Sequence, residues 1–178
     1  MSRLRFHPYE WTTYFVTNRN LMGYSFMRPS PHTNKIIVGC LAYSRERYDG
    51  RILLHNAAYM SNHYHMLISA KDDRALSEFM GHFNGCLGKE LGEIHDFHGK
   101  LWHKRYSASP VLDEWALEDR YRYIFSNSVK EGLVEHPRDW PGFHAYRQLC
   151  EGEVTEGIWI DRTAFYRAKQ KSKLKKNK

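Results

Sequence analysis

Apolar and polar residues alternate over residues 10–19, EWTTYFVTNR, a segment that is also rich in β-branched and aromatic side chains. This pattern is typical of a half-buried β-strand. Two further short apolar runs cover residues 52–60 and 63–69, and because only two residues separate them, they predict a hairpin. A fourth extended segment is expected over residues 101–112, where Pro110 favours a position at the edge of the sheet.

Helical spacing of apolar residues marks three other segments. They cover residues 33–48, 72–91 and 113–127, and each separates or follows predicted strands. The first of these helices is expected to begin at Thr33 or Asn34, since both are residue types that favour a helix N-cap.

The predicted elements follow the order β-α-β-β-α-β-α. This order is typical of an α+β fold, and we predict a ferredoxin-like sandwich in which an antiparallel sheet is covered by helices on one face.

Four glycines of the second predicted helix share one helical face, at spacings of four, three and four residues. They are Gly81, Gly85, Gly88 and Gly92. Since glycine is unfavourable inside a helix, the pattern needs a cause. Two interpretations remain open, a close approach of neighbouring backbone and a ligand lying along that face.

Length and composition limit the number of domains and the class of protein. The chain has 178 residues, of which 42% are hydrophobic, which is enough for one globular domain. No apolar run approaches the roughly 18 residues that a membrane span needs, and the first residues lack the apolar core of a signal peptide. We therefore expect a cytoplasmic protein with no membrane partner.

The positive charge is concentrated at the C-terminus. The net charge is +7, and residues 162–178 hold eight basic side chains and no acidic one, so residues 1–161 carry 7 − 8 = −1. We divide the chain into a domain over residues 1–160 and a basic C-terminal helix and tail over 161–178. The tail suits non-specific binding of a polyanion, although it could equally be a solvated end.

The pair His63 and His65 is a candidate metal site, because residues two apart on a strand point to the same face. With 11 histidines in the chain, about 0.7 such pairs are expected by chance, so the pair alone is weak. A solvated polar face and a metal site therefore both remain open.

Tyr123 and Asn127 are a second candidate pair. They lie four residues apart on the third predicted helix and hence on one face. Tyr121 and Ile124 belong to the buried stripe, so Tyr123 is turned away from its centre.

Together these motifs resemble a known family. The segments, in order along the chain, are MSNHYHML, GKLWHKRY and RYIFSNSVKEGLV. They are similar to those of the HUH single-tyrosine transposases, specifically the REP-associated tyrosine transposases, and the resemblance covers about residues 15–146. The pattern departs from the family at Ser128, where the family has proline.

The resemblance implies an activity and a site. The chain would cleave and rejoin single-stranded, hairpin-forming DNA through a 5′-phosphotyrosine intermediate on Tyr123. His63, His65 and Asn127 would bind a divalent metal, either Mg²⁺ or Mn²⁺, although two histidines would also accept zinc. Related transposases form dimers that exchange the tyrosine helix, but the basic tail could obstruct this, so we expect a monomer.

Five basic residues near these motifs are candidate DNA contacts. They are Lys104, Arg105, Arg120, Arg122 and Lys130. Two alternative functions stay open, a catalytically silent protein that only binds DNA hairpins and a metal-dependent hydrolase in which water attacks the phosphate.

Overall fold

A four-stranded sheet is the centre of the fold. The computed structural model describes residues 10–159. The sheet has the order β2-β3-β1-β4, and every neighbouring pair is antiparallel. The strands are β1 (Thr12–Arg19), β2 (Ile52–Tyr59), β3 (His63–Ala70) and β4 (Ser107–Pro110). The order and the connections are those of the predicted ferredoxin-like α+β fold, which is confirmed.

In the part of the chain that the structure describes, four α-helices connect or follow the strands. They are α1 (Pro31–Arg47), α2 (Asp73–Ile94), α3 (Glu114–Lys130) and α4 (Tyr146–Cys150). Two short 3₁₀ turns cover Leu21–Gly23 and Pro137–Asp139.

Helix α1 begins earlier than the predicted start at Thr33 or Asn34. Its N-cap is Ser30, whose Oγ accepts a hydrogen bond from the Thr33 N–H, and Pro31 occupies the first helical position. Proline suits this position because the first N–H groups of a helix have no partner within the helix.

The fourth predicted extended segment forms a regular strand only in its second half. The residues that pair with β1 are Ser107–Pro110, at the edge where Pro110 was expected. Residues 101–103 run antiparallel to residues 19–21: the Leu21 N–H donates to the Leu101 carbonyl, the His103 N–H donates to the Arg19 carbonyl, and Asn20 forms an isolated bridge with Trp102. Residues 104–106 intervene before β4, so the ladder along β1 is interrupted there.

The main core lies between one face of the sheet and the helices α1 and α2. Alternate residues of β3 point into it, among them Tyr64, Met66 and Ile68, and they meet Phe79 and Phe83 of α2. All five side chains are fully buried, so this face supplies most of the hydrophobic stabilisation of the fold.

Helix α3 lies on the opposite face of the sheet. Ile124 packs there against Ala58 of β2 and Leu67 of β3 in a second, smaller apolar cluster. The predicted covering of one face therefore describes α1 and α2, whereas α3 covers the other. The physical reason is that this face of the sheet also carries apolar residues, Phe15, Ala58 and Leu67, which need an apolar partner.

The N-cap of α3 supports a stability prediction. The Asp113 carboxylate accepts a 2.7 Å hydrogen bond from the Ala116 N–H. We expect Asp113→Ala to lower the free energy of unfolding by about 1 kcal/mol, measured by urea denaturation, because a backbone donor loses its partner. Asp113→Asn keeps an acceptor and should remain within a few tenths of wild type; equal losses in both variants would contradict this role.

The predicted last helix from about Asp161 and the basic segment over residues 161–178 lie outside the described residues. Between residues 10 and 159, no helix combines the length and the apolar character needed to cross a membrane.

Candidate functional site

The two histidines of β3 lie side by side on the sheet face that α3 covers. The centroids of the His63 and His65 rings are 5.0 Å apart. The antiparallel register places Arg19 of β1 opposite His63 and Thr17 opposite His65. The alternation of β3 therefore directs both imidazoles away from the main core and toward one place.

Each imidazole is oriented by a hydrogen bond to its Nδ1 atom. The Oδ1 atom of Asn62 lies 2.7 Å from Nδ1 of His63, and the Thr17 hydroxyl lies 2.9 Å from Nδ1 of His65. An amide oxygen only accepts, so Nδ1 of His63 carries the proton and its Nε2 keeps a free lone pair. When the Thr17 hydroxyl accepts, His65 has the same tautomer, which is the arrangement that usually orients a metal-binding histidine.

Both imidazoles are held in the neutral form. Burial above all, together with the nearby His63 and Arg19, lowers the pKa of His65 to about 3. Burial also lowers the pKa of His63, Arg19 adds to that shift, and Glu131 opposes it. A metal ligand must be unprotonated, so at neutral pH neither histidine has to lose a proton first.

Tyr123 of α3 lies directly against His65. The edge of one ring meets the face of the other, with centroids 5.1 Å apart and an interplanar angle of 87°. Phe15 of β1 completes the group, since it stacks on His65 at 5.3 Å and meets Tyr123 edge-on at 5.7 Å. These aromatic contacts fix the ring of Tyr123 next to the histidine pair.

Asn127 follows one helical turn later and is 3% exposed. Glu131, which caps the C-terminus of α3, is close enough to His63 to influence its pKa. Helix α3 therefore runs along the histidine pair, from Tyr123 at His65 to Glu131 near His63, and Asn127 lies between these two contacts.

Two buried polar atoms at this place have no hydrogen-bond partner among the residues that the structure describes. They are Nε2 of His65 and Oδ1 of Asn127. Buried polar atoms normally have partners, and unpaired ones need an explanation. Both atoms are potential metal ligands, one a neutral imidazole nitrogen and the other an amide oxygen.

A divalent cation fits this donor set. Within residues 10–159, no three His, Cys, Asp or Glu side chains gather so that they could hold a metal ion. A metal held by His63 and His65 would therefore take its third protein ligand from a group of another type, and the oxygen of Asn127 is one unpaired acceptor on the helix that covers them.

The five predicted DNA contacts divide into two groups. Arg120 and Lys130 lie at the site, since the Arg120 guanidinium is 5.0 Å from the centre of the Phe15 ring and the Lys130 Nζ is 5.3 Å from that of Tyr123. The other three do not join the site.

Arg122 is exposed and forms a 2.6 Å ion pair with Glu118 on the surface of α3. Lys104 and Arg105 lie next to α2, where they line a separate cavity.

Three residues of β1 belong to the site and were not identified from the sequence: Phe15, Thr17 and Arg19. The alternation of β1 shows that they share a face. The pairing of β1 with β3, which places this face beside the histidines, is not visible in the local pattern.

The segment after α3 holds that helix in place. Nε2 of His144 is 3.2 Å from the Ile124 carbonyl and donates to it, while Nδ1 accepts from the Tyr146 N–H. His144 also forms a bridge to Ala58 of β2, so it joins α3 to the sheet. The departure at Ser128 does not end the helix, which continues to Lys130.

The family comparison matches the part of the chain that contains these residues. Residues 40–127 fit the family model described as "Transposase IS200 like", a range that begins in α1 and ends at Asn127. The match covers 88 of the 178 residues and confirms the predicted resemblance to this class of transposases. The matched range includes His63, His65 and Tyr123.

One solved structure has the same fold. It is that of a REP-associated tyrosine transposase bound to a REP hairpin, which matches this chain with a TM-score of 0.69 and 17% identity, over 90% of this chain and 94% of that one. A putative transposase from Deinococcus radiodurans has a TM-score of 0.47 and 15% identity, over 70% of this chain and 95% of that one. No curated protein sequence matches this chain.

Proposed function

We propose that this IS200-like transposase cleaves and rejoins single-stranded, hairpin-forming DNA, with Tyr123 as the nucleophile. The observation that carries the proposal is the contact of the Tyr123 ring with His65, whose Nε2 is buried without a partner among the described residues. The unpaired oxygen of Asn127 lies one turn further along the same helix. The ring of Tyr123 thus lies beside an imidazole with an unpaired nitrogen, on the helix that also carries an unpaired amide oxygen, and this supports the proposal.

The proposed reaction is a transesterification, in which the phosphorus of a phosphodiester exchanges one oxygen substituent for another. The Tyr123 Oη attacks the phosphorus of a phosphodiester, a bond forms between that oxygen and the 5′-phosphate, and the bond to the 3′-oxygen breaks. The phenolic proton is lost and the departing 3′-oxygen gains one, so the products are a 5′-phosphotyrosine and a free 3′-hydroxyl. Attack by a 3′-hydroxyl reverses these changes and rejoins a strand without an energy cofactor.

The metal that we propose is Mg²⁺ or Mn²⁺, held by His63, His65 and Asn127. When bound, such an ion offsets the charge of the scissile phosphate and orients it for in-line attack. The chain itself prepares the ligands, since Thr17 and Asn62 orient the two imidazoles and burial keeps them neutral.

Arg120 and Lys130 are the DNA contacts that we place at the reacting phosphate, because they are the cations that flank Phe15 and Tyr123. Lys104 and Arg105 would contact the substrate elsewhere. Arg122 is already paired with Glu118, so we expect a smaller contribution from it.

The hairpin substrate and the monomeric state are parts of the same proposal. The similar solved transposase is bound to a REP hairpin, which supports a hairpin substrate. Tyr123 contacts His65 of its own chain, and this contact supports a site that one copy of the protein completes.

The test of this function is a search for a covalent adduct. The full chain is incubated with single-stranded hairpin DNA and Mn²⁺, and the products are separated on a denaturing gel. We expect a protein–DNA adduct that EDTA prevents. Binding with no cleavage would favour a silent hairpin-binding protein, and cleavage with no adduct would favour a hydrolase in which water attacks.

The hydroxyl of Thr17 gives a more specific test of the metal site. Thr17→Val has almost the same shape but cannot bond to Nδ1 of His65, so we expect the affinity for Mn²⁺ to fall by about 10- to 100-fold. The affinity is measured by titration of the protein with Mn²⁺. Thr17→Ser keeps the hydroxyl and should bind Mn²⁺ as wild type does, and an equal affinity in all three proteins would contradict the role of Thr17.

A further inference from the structure

A positively charged residue lies beside the two imidazoles that we propose as metal ligands. Arg19, the last residue of β1, is the partner of His63 in the antiparallel register, so the two side chains leave the same face of the sheet. The Arg19 guanidinium is also close enough to both His63 and His65 to lower their pKa values. Arg19 is therefore a neighbour of the proposed metal ligands.

The next chain segment in the sheet continues this row on the other side of Arg19. The His103 N–H donates to the Arg19 carbonyl, and the bridge between Asn20 and Trp102 places His103 opposite Arg19. Trp102 turns toward α2, where its indole N–H donates to a backbone carbonyl of that helix, so the adjacent His103 turns toward the face of the candidate site. Arg19 and His103 are both exposed, so this end of the row is open to a large substrate.

The charge of Arg19 is not neutralised by a carboxylate of the fold. None of the ion pairs formed within residues 10–159 includes Arg19, whereas Arg51, Arg74 and Arg138 each contact a glutamate there. Glu131 is the acidic residue that acts on His63, and it forms no ion pair with Arg19. The guanidinium is thus available to an anion from outside the protein.

A free cation next to a metal site is unfavourable unless an anion accompanies it. Like charges repel, so Arg19 opposes the binding of a divalent cation to the protein alone. An anion that contacts the metal and the guanidinium together is attracted by both and removes this cost. A phosphodiester meets the requirement, because it has one negative charge shared by two free oxygens. The position of Arg19 therefore favours the joint binding of metal and phosphate over the binding of metal alone.

We propose that Arg19 contacts the phosphate at which the DNA is cleaved and thereby makes the binding of metal and of DNA cooperative. This inference rests on the proposed function. Arg120 and Lys130 lie against the aromatic rings of the site, whereas Arg19 lies in the row of the histidines, so its role is distinct from theirs. The guanidinium donates hydrogen bonds to the phosphate oxygens and stabilises their charge while the Tyr123 Oη attacks, and it transfers no proton because arginine stays charged.

The first measurement is the affinity of the protein alone for Mn²⁺ at low ionic strength, followed by the electron paramagnetic resonance signal of the unbound ion. Arg19→Gln removes the repulsion, so we expect it to bind Mn²⁺ about three- to tenfold more tightly than wild type. Arg45→Gln is the matched control, because Arg45 is an exposed arginine of α1, on the other face of the sheet, and this variant should bind Mn²⁺ as wild type does. An unchanged or lower affinity in Arg19→Gln would overturn the inference.

The second measurement adds hairpin DNA, in a Tyr123→Phe background so that the DNA stays intact. We expect the DNA to raise the affinity for Mn²⁺, and to raise it about tenfold less when Arg19→Gln is also present, because coupling between two ligands is reciprocal. The same increase in both proteins would overturn the inference.

The DNA supplies an independent control. Uncharged methylphosphonates replace the phosphates one by one, and binding with Mn²⁺ is measured for Tyr123→Phe with and without Arg19→Gln. We expect one position at which the replacement weakens binding about tenfold more when Arg19 is present, because only then is a contact with the guanidinium lost. Equal effects of the two proteins at every position would overturn the inference.

Cleavage assays separate this inference from the proposed function. Arg19→Gln should cleave about 100-fold more slowly than wild type at saturating Mn²⁺, and Arg19→Lys, which keeps the charge but loses the planar set of donors, should retain part of the activity. Wild-type cleavage by Arg19→Gln would overturn the inference and leave the proposed function intact. Cooperative binding without a covalent adduct would overturn the proposed function alone, whereas wild type that binds no Mn²⁺ would overturn both.

Discussion

Tyr123→Phe is expected to abolish the covalent protein–DNA adduct and to reduce strand cleavage by at least about a thousandfold, because the nucleophile is removed. The substituted ring keeps its edge contacts with His65 and Phe15, so the fold should be retained. Binding of hairpin DNA should remain close to that of wild type. The rates are measured with end-labelled hairpin DNA and Mn²⁺ on denaturing gels.

Tyr121→Phe is the matched control for this prediction. Tyr121 lies on the same helix and is also half-buried, but its ring packs against Phe125 rather than against the histidines. Cleavage by this variant should equal that of wild type. Cleavage that persists in Tyr123→Phe would exclude Tyr123 as the nucleophile and leave attack by water as the remaining mechanism.

His63→Gln is expected to have the second large effect, a loss of Mn²⁺ affinity and of cleavage of at least about 100-fold at low metal concentration. The side chain is half-buried, and glutamine removes the imidazole lone pair while remaining polar. A higher concentration of Mn²⁺ should restore part of the cleavage, because the other two ligands remain. Cleavage rates are measured as a function of Mn²⁺ concentration.

His55→Gln is the control for His63→Gln. His55 is another half-buried histidine of the same sheet, and burial lowers its pKa as well, but it is bonded to Ser69 and does not contact the candidate site. We expect the cleavage rate of His55→Gln to depend on Mn²⁺ concentration in the same way as that of wild type. The role of His63 would be contradicted if the two variants showed the same dependence on Mn²⁺.

Local sequence patterns were sufficient to predict the main strands and helices. They were also sufficient to identify two candidate pairs, His63 with His65 and Tyr123 with Asn127. The alternation in β3 places His63 and His65 on one face, and the helical period of α3 places Tyr123 above Asn127 and away from the buried Ile124. Both relations depend only on the geometry of a single strand or helix, so a sequence read without its fold already contains them.

Residues that reach the site only through the packing of one strand or helix against another could not be found in this way. Thr17 and Arg19 face the histidines only because β1 pairs with β3 in one register, and a shift by one residue would turn both away. The same limit applies to the predicted DNA contacts. Arg120 and Lys130 lie at the site, whereas the equally basic Lys104 and Arg105 line the separate cavity next to α2.

The amino-acid sequence by itself therefore determined the order of strands and helices, the pair of imidazoles and the spacing of the phenol and the carboxamide. The tertiary structure decided which face of the sheet α3 covers, and so it decided that Tyr123 meets His65 rather than the main core. The physical reason is that periodicity records which side of an element is buried, whereas strand register and helix docking depend on contacts between residues far apart in the chain.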